Sequence, residues 1–431
     1  MPHVILLGTL DTKLEEFRYL YDRLSLAASQ STKTPLKITL IDCGREPATD
    51  DRISITHEDL VAQHGDGTAL TDLSRGDVIK YMTQCVKRCV SDLVKNENVH
   101  GILSAGGSGG SSLASAVMRE AAPIGMPKLL VSTVASGDTS PLVGETDITM
   151  MYSVVDIAGS NQLLRNILNN AAAAMVGMAN AYESLLQEEA QNADRTRMRV
   201  GVTMFGVTTP GVDKIRRHLE ERHGAEVFVF HATGHGGRAM ERLVQDQKLD
   251  AVIDLTTTEI CDHLMGGNMS AGPERLEAAL KAGIPNLISV GATDMVNFGP
   301  KVSVPSHYSD RQLLEHNPTV TLMRTTPEEA KKIAHFITNK IKTCAKDPSK
   351  VQVWLPKGGV SMIAVPGGPF ADSTADEALF QALKDGLKGS GVEIVEDERD
   401  INDAGFAVDV AERLVELIRS LEHTTYNVGS V

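Results

Sequence analysis

The sequence predicts an α/β protein of two Rossmann-like lobes with mainly parallel sheets, the second lobe a diverged duplicate of the first. Three observations carry that expectation. Short aliphatic runs bounded by glycine alternate with helical patterns, the rhythm of strands joined through crossover helices. The rhythm runs through residues 4–7, 38–41, 101–103 and 129–131, then starts again at residues 200–204, 227–230, 251–255 and 287–290. The loops that end matching strands also correspond, as in an internal repeat.

Taken in order, the first strand of each half ends in Gly8-Thr9-Leu10-Asp11-Thr12 or in Phe205-Gly206-Val207-Thr208-Thr209-Pro210. The second strand ends at Asp42 or runs into His231-Ala232-Thr233-Gly234-His235. The third runs into Gly106-Gly107-Ser108-Gly109-Gly110 or into Thr256-Thr257-Thr258-Glu259. The fourth follows Met126-Pro127-Lys128 or Ile284-Pro285-Asn286, and leads to Ser132-Thr133-Val134 or to Gly291-Ala292-Thr293-Asp294. A helical stretch over about residues 160–190 closes the first half, and the polar run 191–197 is the expected linker. The lobes are therefore expected at residues 1–190, ending in a long linking helix, and 198–431.

The 431 residues suffice for two cores. With 42 Lys and Arg against 56 Asp and Glu, the net charge of -14 argues against nonspecific nucleic-acid binding. Five scattered cysteines form no CxxC pair, which disfavours a disulfide framework and a structural zinc site, so no metal ligands are assigned from them. Cys85 and Cys89, beside Val86 and Val90 on a helical pattern, are expected in the core. The apolar run 171–178 is far short of a bilayer span, so no membrane partner is expected and the location expected is cytoplasmic.

Ligands of an open parallel sheet bind beyond the carboxyl ends of its strands. In the first lobe, Gly107, Ser108, Gly109 and Gly110 lie between a strand and a helical pattern, where backbone N–H groups and the helix dipole suit phosphate. The competing reading is a tight turn that needs glycine only for its backbone. No Gly-Lys-Ser/Thr follows, so this is not a Walker A loop. Thr12 and Glu15 are spaced for a capping box, while Asp11 and Lys13 are candidates for ribose, magnesium or phosphate. Asp42 is either a ribose acceptor or a turn former, and Arg75 a candidate phosphate contact.

In the second lobe Gly234, Gly236 and Ala239 satisfy G-x-G-x-x-A, with Asp254 twenty residues beyond Gly234. A dinucleotide-binding protein is thus one alternative. The candidate catalytic set is His231, His235, Arg238, Glu259 and Asp294, with His263, His316, Asn317 and Arg324 extending the polar group. Histidines and carboxylates at strand ends suit acid–base work on a small carbonyl or sugar-acid substrate, or a divalent metal, although turn capping is the commoner use of such histidines. An enzyme, a binding protein and a protein-interaction module all remain open.

Several blocks narrow the choice: residues 8–13, 106–111, 131–137, 201–210, 230–240 and 294–300, including Gly8-Thr9-Leu10-Asp11-Thr12-Lys13 and Asp294-Met295-Val296-Asn297-Phe298-Gly299-Pro300. Through them the chain resembles the ATP-binding domain family of the tomato mosaic virus resistance protein, from Val4 to about Ala407. The resemblance implies two Rossmann-like lobes, a homodimer, and ATP with Mg2+ in the first lobe. The family's nucleotide contacts fall on Asp11, Thr12, Lys13, Leu14, Glu15, Arg75, Gly107, Ser108, Gly109 and Gly110. A further contact, a threonine in the plant protein, aligns with Arg45. By family analogy alone, a viral replication protein is a partner.

Overall fold

The computed structural model describes residues 1–31, 35–68, 70, 73–191 and 197–427. The chain divides into two compact units, Met1–Arg195 and Thr196–Val431. Of the expected linker, residues 192–196 lie outside the described residues.

The N-terminal unit runs β1 (His3–Gly8), α1 (Leu10–Ser31), β2 (Lys37–Asp42), β3 (Ile53–Ile55), α2 (His57–His64), α3 (Arg75–Asn96), β4 (Gly101–Gly106), α4 (Ser108–Ala121), β5 (Lys128–Ser132), α5 (Ser140–Val143), β6 (Thr149–Tyr152) and α6 (Gln162–Gln191). Its strands are parallel in the order β3-β2-β1-β4-β5-β6. Alternate residues of β1 face opposite layers, as the two-residue repeat of a strand requires. Ile5 and Leu7 pack with Val86 and Val90 of α3 and Val117 of α4. Val4 and Leu6 pack with Phe17 and Leu20 of α1 and Leu168 and Met175 of α6. Cys85 and Cys89 are core residues of the first layer, as expected.

The C-terminal unit runs β7 (Arg199–Met204), α7 (Thr209–His223), β8 (Glu226–His231), α8 (His235–Gln245), β9 (Ala251–Thr256), α9 (Thr258–Met265), α10 (Glu277–Ala282), β10 (Asn286–Gly291), β11 (Met295–Phe298), β12 (Leu313–Asn317), β13 (Val320–Arg324), α11 (Pro327–Cys344), β14 (Val351–Pro356), α12 (Ser373–Leu387), β15 (Glu393–Asp397) and α13 (Ala404–Asn427). The main sheet is again parallel, in the order β15-β14-β10-β9-β7-β8. A small antiparallel sheet, β11-β13-β12, is inserted after β10.

Within these sheets β2-β1-β4-β5-β6 and β8-β7-β9-β10-β14 follow the same order, the arrangement the repeated loops predict. Unit 1 adds β3 beyond β2, whereas unit 2 adds β15 beyond β14. In each unit the strand order reverses beside the first strand, so crevices open at the carboxyl ends of β1 and β4 and of β7 and β9. No described helix is long and apolar enough to cross a membrane.

Candidate functional site

Beyond β1 and β4 lies a cavity of about 620 Å³, lined among others by Thr9, Asp11, Thr12, Lys13, Arg45, Gly107, Ser108, Gly109, Gly110 and Asp156. Its apolar wall is made by Ile79, Met82, Leu113, Val134 and Val155. Leu14 and Glu15 line an adjoining hollow instead, together with Asp11 and Thr12. Arg75 opens α3, but its side chain lies outside the described residues.

The glycine loop is positioned by buried serines. Ser111 Oγ donates to the Gly106 carbonyl at 3.1 Å and lies 2.6 Å from Ser132 Oγ, tying the ends of β4 and β5 together. Gly106 is demanded by packing, since a Cβ there would lie 3.0 Å from the Gly110 Cα. Gly107, Gly109 and Gly110 are different. Among the described residues, a Cβ on each would meet only Thr133 Oγ1 at 3.9 Å, Ile79 Cδ1 at 3.7 Å or Thr9 Oγ1 at 3.8 Å, ordinary contact distances. The turn itself does not require those three glycines. What their missing side chains provide is open approach to the backbone at the start of α4, where the helix begins at Gly107 with no side-chain cap.

The facing loop departs from one expectation. Thr12 Oγ1 donates to the Thr9 carbonyl and Glu15 pairs with Arg18 at 2.6 Å, so the two do not form a capping box. The chain is already helical from Leu10, which places Thr12 inside the helix rather than at its cap. Lys13 breaks the helix with φ -135° and ψ 24°, and its Nζ donates to the Ile157 carbonyl at 2.5 Å. Asp11 accepts from the Arg45 amide at 3.2 Å, which brings Arg45 to the cavity rim. Asp42 is a turn former: fully buried, it accepts from the amides of Leu10, Gly44 and Ala48. Burial raises its pKa against the pull of those amides.

Sequence reasoning did not single out Val154, Val155 and Asp156, which follow β6 and line the cavity. Val154 holds φ 63°, a left-handed conformation costly for a β-branched residue. The short β6 gives no clear strand period, which is why this wall was missed.

The second-lobe candidates fall into separate environments. Glu259 is fully buried, and its Oε1 accepts from the amides of Gly234 at 2.7 Å and Gly237 at 3.0 Å. Its Oε2 accepts from Arg275 Nε at 2.8 Å. Arg275, itself buried, also binds Asp254 and Glu241. Burial pushes this guanidinium down, but the surrounding carboxylates outweigh that and hold it firmly charged.

This cluster corrects the dinucleotide reading of Gly234, Gly236 and Ala239. The anion position at the start of α8 is filled by the chain's own Glu259 carboxylate, and Asp254 is committed to Arg275 rather than offered to a ribose. The glycines have packing reasons as well. Gly234 has φ 90°, and a Cβ on Gly236 would lie 1.9 Å from the His231 carbonyl oxygen.

Asp294 sits apart in a second buried group, where Ser361 Oγ donates to Oδ2 at 2.9 Å and Oδ1 has no hydrogen-bond partner among the described residues. Burial pushes its pKa up to about 7, opposed by Arg324 and Ser361. Arg324 is no free carboxylate receptor, because it is buried and paired with Asp376 at 2.7 Å. His231 and His235 are exposed, His231 against Phe205 with ring centroids 5.6 Å apart, and His235 Nδ1 lies 3.0 Å from Arg238. His263 Nδ1 is 3.4 Å from Ser270 Oγ, and His316 and Asn317 are exposed on β12. The structure thus brings His235, Arg238 and Glu259 to the start of α8, and leaves Asp294 in a different polar group.

Fold and cavity together define a doubly wound α/β protein of two units, with an open helix start facing a strand-end cavity in the first. The chain belongs to the uncharacterised protein family UPF0261: residues 2–184 match the family's N-terminal domain and residues 197–418 its C-terminal domain. It is 45% identical over 419 residues to a UPF0261 protein of Clostridium tetani, covering 96% of this chain and 98% of that one. It is 39% identical over 436 residues to the ToMV resistance protein Tm-1(GCR237) of Solanum lycopersicum, covering 98% of this chain. This chain spans 56% of that tomato protein's length. A putative Asp/Glu racemase from Yersinia pestis is a weak structural likeness, 13% identical with a TM-score of 0.20 over 59% of this chain and 84% of that one.

Proposed function

We propose that the N-terminal unit binds ATP with Mg2+ in the cavity beyond β1 and β4. The observation that carries this reading is the start of α4, where Gly107, Gly109 and Gly110 leave open space that the fold does not need. That space faces a cavity of about 620 Å³, within the range of small-molecule sites. The Ser108, Gly109 and Gly110 amides and the α4 dipole suit the phosphates, with Lys13 and Arg45 as nearby cations. Asp11, Thr12 and Asp156 supply the oxygen ligands that magnesium prefers, and Ile79, Met82, Leu113 and Val134 an apolar wall for the base. Bound ATP would supply a transferable phosphoryl group or a ligand that orders the surrounding loops.

The protein is proposed to work as a homodimer, which light scattering tests directly. For the C-terminal unit, a small-ligand site centres on the exposed His231 and His235 beside Arg238, because Glu259 and Asp294 are engaged inside the fold. Calorimetry of the full chain with ATP and Mg2+ tests the main reading. Gly109→Val is expected to fold and to lose ATP affinity by about 100-fold, a side chain there excluding phosphate from the backbone amides. Unchanged affinity in the folded variant overturns the assignment.

A further inference from the structure

In the C-terminal unit, α7 and α13 bring together three side chains that sequence spacing does not pair. His218 and His223 are five residues apart, which on a helix of 3.6 residues per turn places them on diverging faces. His223 is the last residue of α7, before Gly224 turns the chain with φ 63°, and its ring reaches to within 5.7 Å of the His218 ring. Glu412 of α13 fills the space between them. Its Oε1 lies 2.5 Å from His218 Nε2 and 3.0 Å from His223 Nε2.

We propose that His218, His223 and Glu412 form a binding site for a divalent transition-metal ion, with zinc as the physiological class of ligand. The three ligand atoms lie within 4.8 Å of one another. Two imidazoles and one carboxylate are the donor set of zinc and its first-row neighbours, whereas magnesium and calcium take oxygen almost alone. Both histidine side chains are largely shielded, at 16% and 12% exposure, while Glu412 is 43% exposed. An ion held there keeps an open side toward water, the arrangement of a three-ligand rather than a closed four-ligand site.

The ligands are pre-positioned by packing. Ile215 and Leu219 of α7 pack with Phe406, Val410, Ala411 and Leu414 of α13 in one buried cluster, so each ligand is sequence-adjacent to, or within a turn of, a fixed core residue. Metal binding requires each Nε2 to be free of its proton; the neutral imidazole meets this by carrying the proton on Nδ1. The resulting ion would link α7 to α13 and stabilise their contact. This inference goes beyond the nucleotide reading and does not rest on it.

The experiment is a titration of the metal-free full chain with Zn2+, in excess Mg2+ to occupy oxygen-only sites, followed by calorimetry and, with Co2+, by visible absorption. One equivalent is expected to bind, with a rise in melting temperature. Glu412→Gln and the double variant His218→Asn with His223→Asn are each expected to weaken binding by at least about tenfold and to abolish the rise. The absence of a saturable one-equivalent site overturns the proposal, as does unchanged zinc affinity in either variant. Should the double variant fail to fold, Glu412→Gln decides, because that half-exposed side chain is replaced by a near isostere.

Discussion

At the start of α4 three glycines leave backbone open that no described residue fills, whereas at the start of α8 every glycine is pressed by its own surroundings. Among the described residues, a Cβ at Gly109 would meet only Ile79 Cδ1 at 3.7 Å, while one at Gly237 would lie 2.1 Å from Glu259 Oε2. Both helix starts present positive partial charge from unpaired N–H groups. In the C-terminal unit that charge is met by an internal carboxylate, Glu259, which Arg275 holds in place. In the N-terminal unit it faces a cavity. Two loops of similar composition thus differ in the origin of their anion: one is built into the chain, and the other is proposed to come from solution. A glycine-rich motif alone does not distinguish these cases. The space around each Cβ does.

The largest test removes the internal counter-charge. In Arg275→Met the carboxylates of Asp254, Glu241 and Glu259 remain together without their cation. A loss of about 4 kcal/mol in unfolding free energy is expected. Hydrogen exchange should show it in β9 and α8, and a loss below 1 kcal/mol would mean that the cluster is not what closes the α8 start.

A second test uses pH. Burial raises Asp262 and Asp294 to about 7, above the unfolded value of 3.8. Between those values the folded state holds protons that the unfolded state has released. Stability contributed by these groups is therefore present at low pH, is lost as pH rises toward 7, and stays lost above it. Each group contributes a slope of up to about 1.4 kcal/mol per pH unit. In Asp294→Asn the slope of C-terminal-unit stability between pH 5 and 7 is expected to flatten relative to the parent. An unchanged slope would show that Asp294 is ionised throughout that range.

Most of the parallel core was legible because its strands are short aliphatic runs ending in glycine or threonine, as in β1, β4 and β9. The edges were less legible. β3 has only three residues, and β6 and β15 are half-exposed with no two-residue alternation. β14 was missed for the opposite reason: it is buried on both faces, and Gln352, Trp354 and Pro356 interrupt its aliphatic pattern. Around the cavity, Asp11, Lys13 and the glycine loop were visible as strand-end residues. Asp156 was not, because it lies past an edge strand without a signal of its own. Charge type alone also misplaced Asp254, Glu259 and Arg324, since their buried partners Arg275 and Asp376 lie far along the chain.

Substituting Gly237 by alanine sharpens the comparison at a smaller scale. The added methyl displaces the Glu259 carboxylate from the amides that it caps, and a destabilisation of about 2 kcal/mol is expected. ATP affinity measured by calorimetry should be unchanged, because the substituted glycine belongs to the other unit. A stable Gly237→Ala protein would remove the packing explanation for the α8 loop.

The smallest expected effect has the opposite sign. Gly109 lies within the first turn of α4, carries no positive φ, and has room for a methyl group at ordinary contact distance from Ile79. Alanine there restricts the unfolded chain and favours the helix, so Gly109→Ala is expected to stabilise the N-terminal unit by about 0.5 kcal/mol. The same methyl projects into the space through which phosphate would approach the Ser108, Gly109 and Gly110 amides, and a weakening of ATP binding by about tenfold is expected. Stability and affinity should therefore move in opposite directions at Gly109, whereas at Gly237 stability falls with no change in affinity. Thermal unfolding and calorimetry on the one variant separate the possibilities. A loss of stability would mean that glycine serves the turn after all, and a gain in stability with undiminished ATP affinity would mean that the open space at this position is not where the phosphates sit.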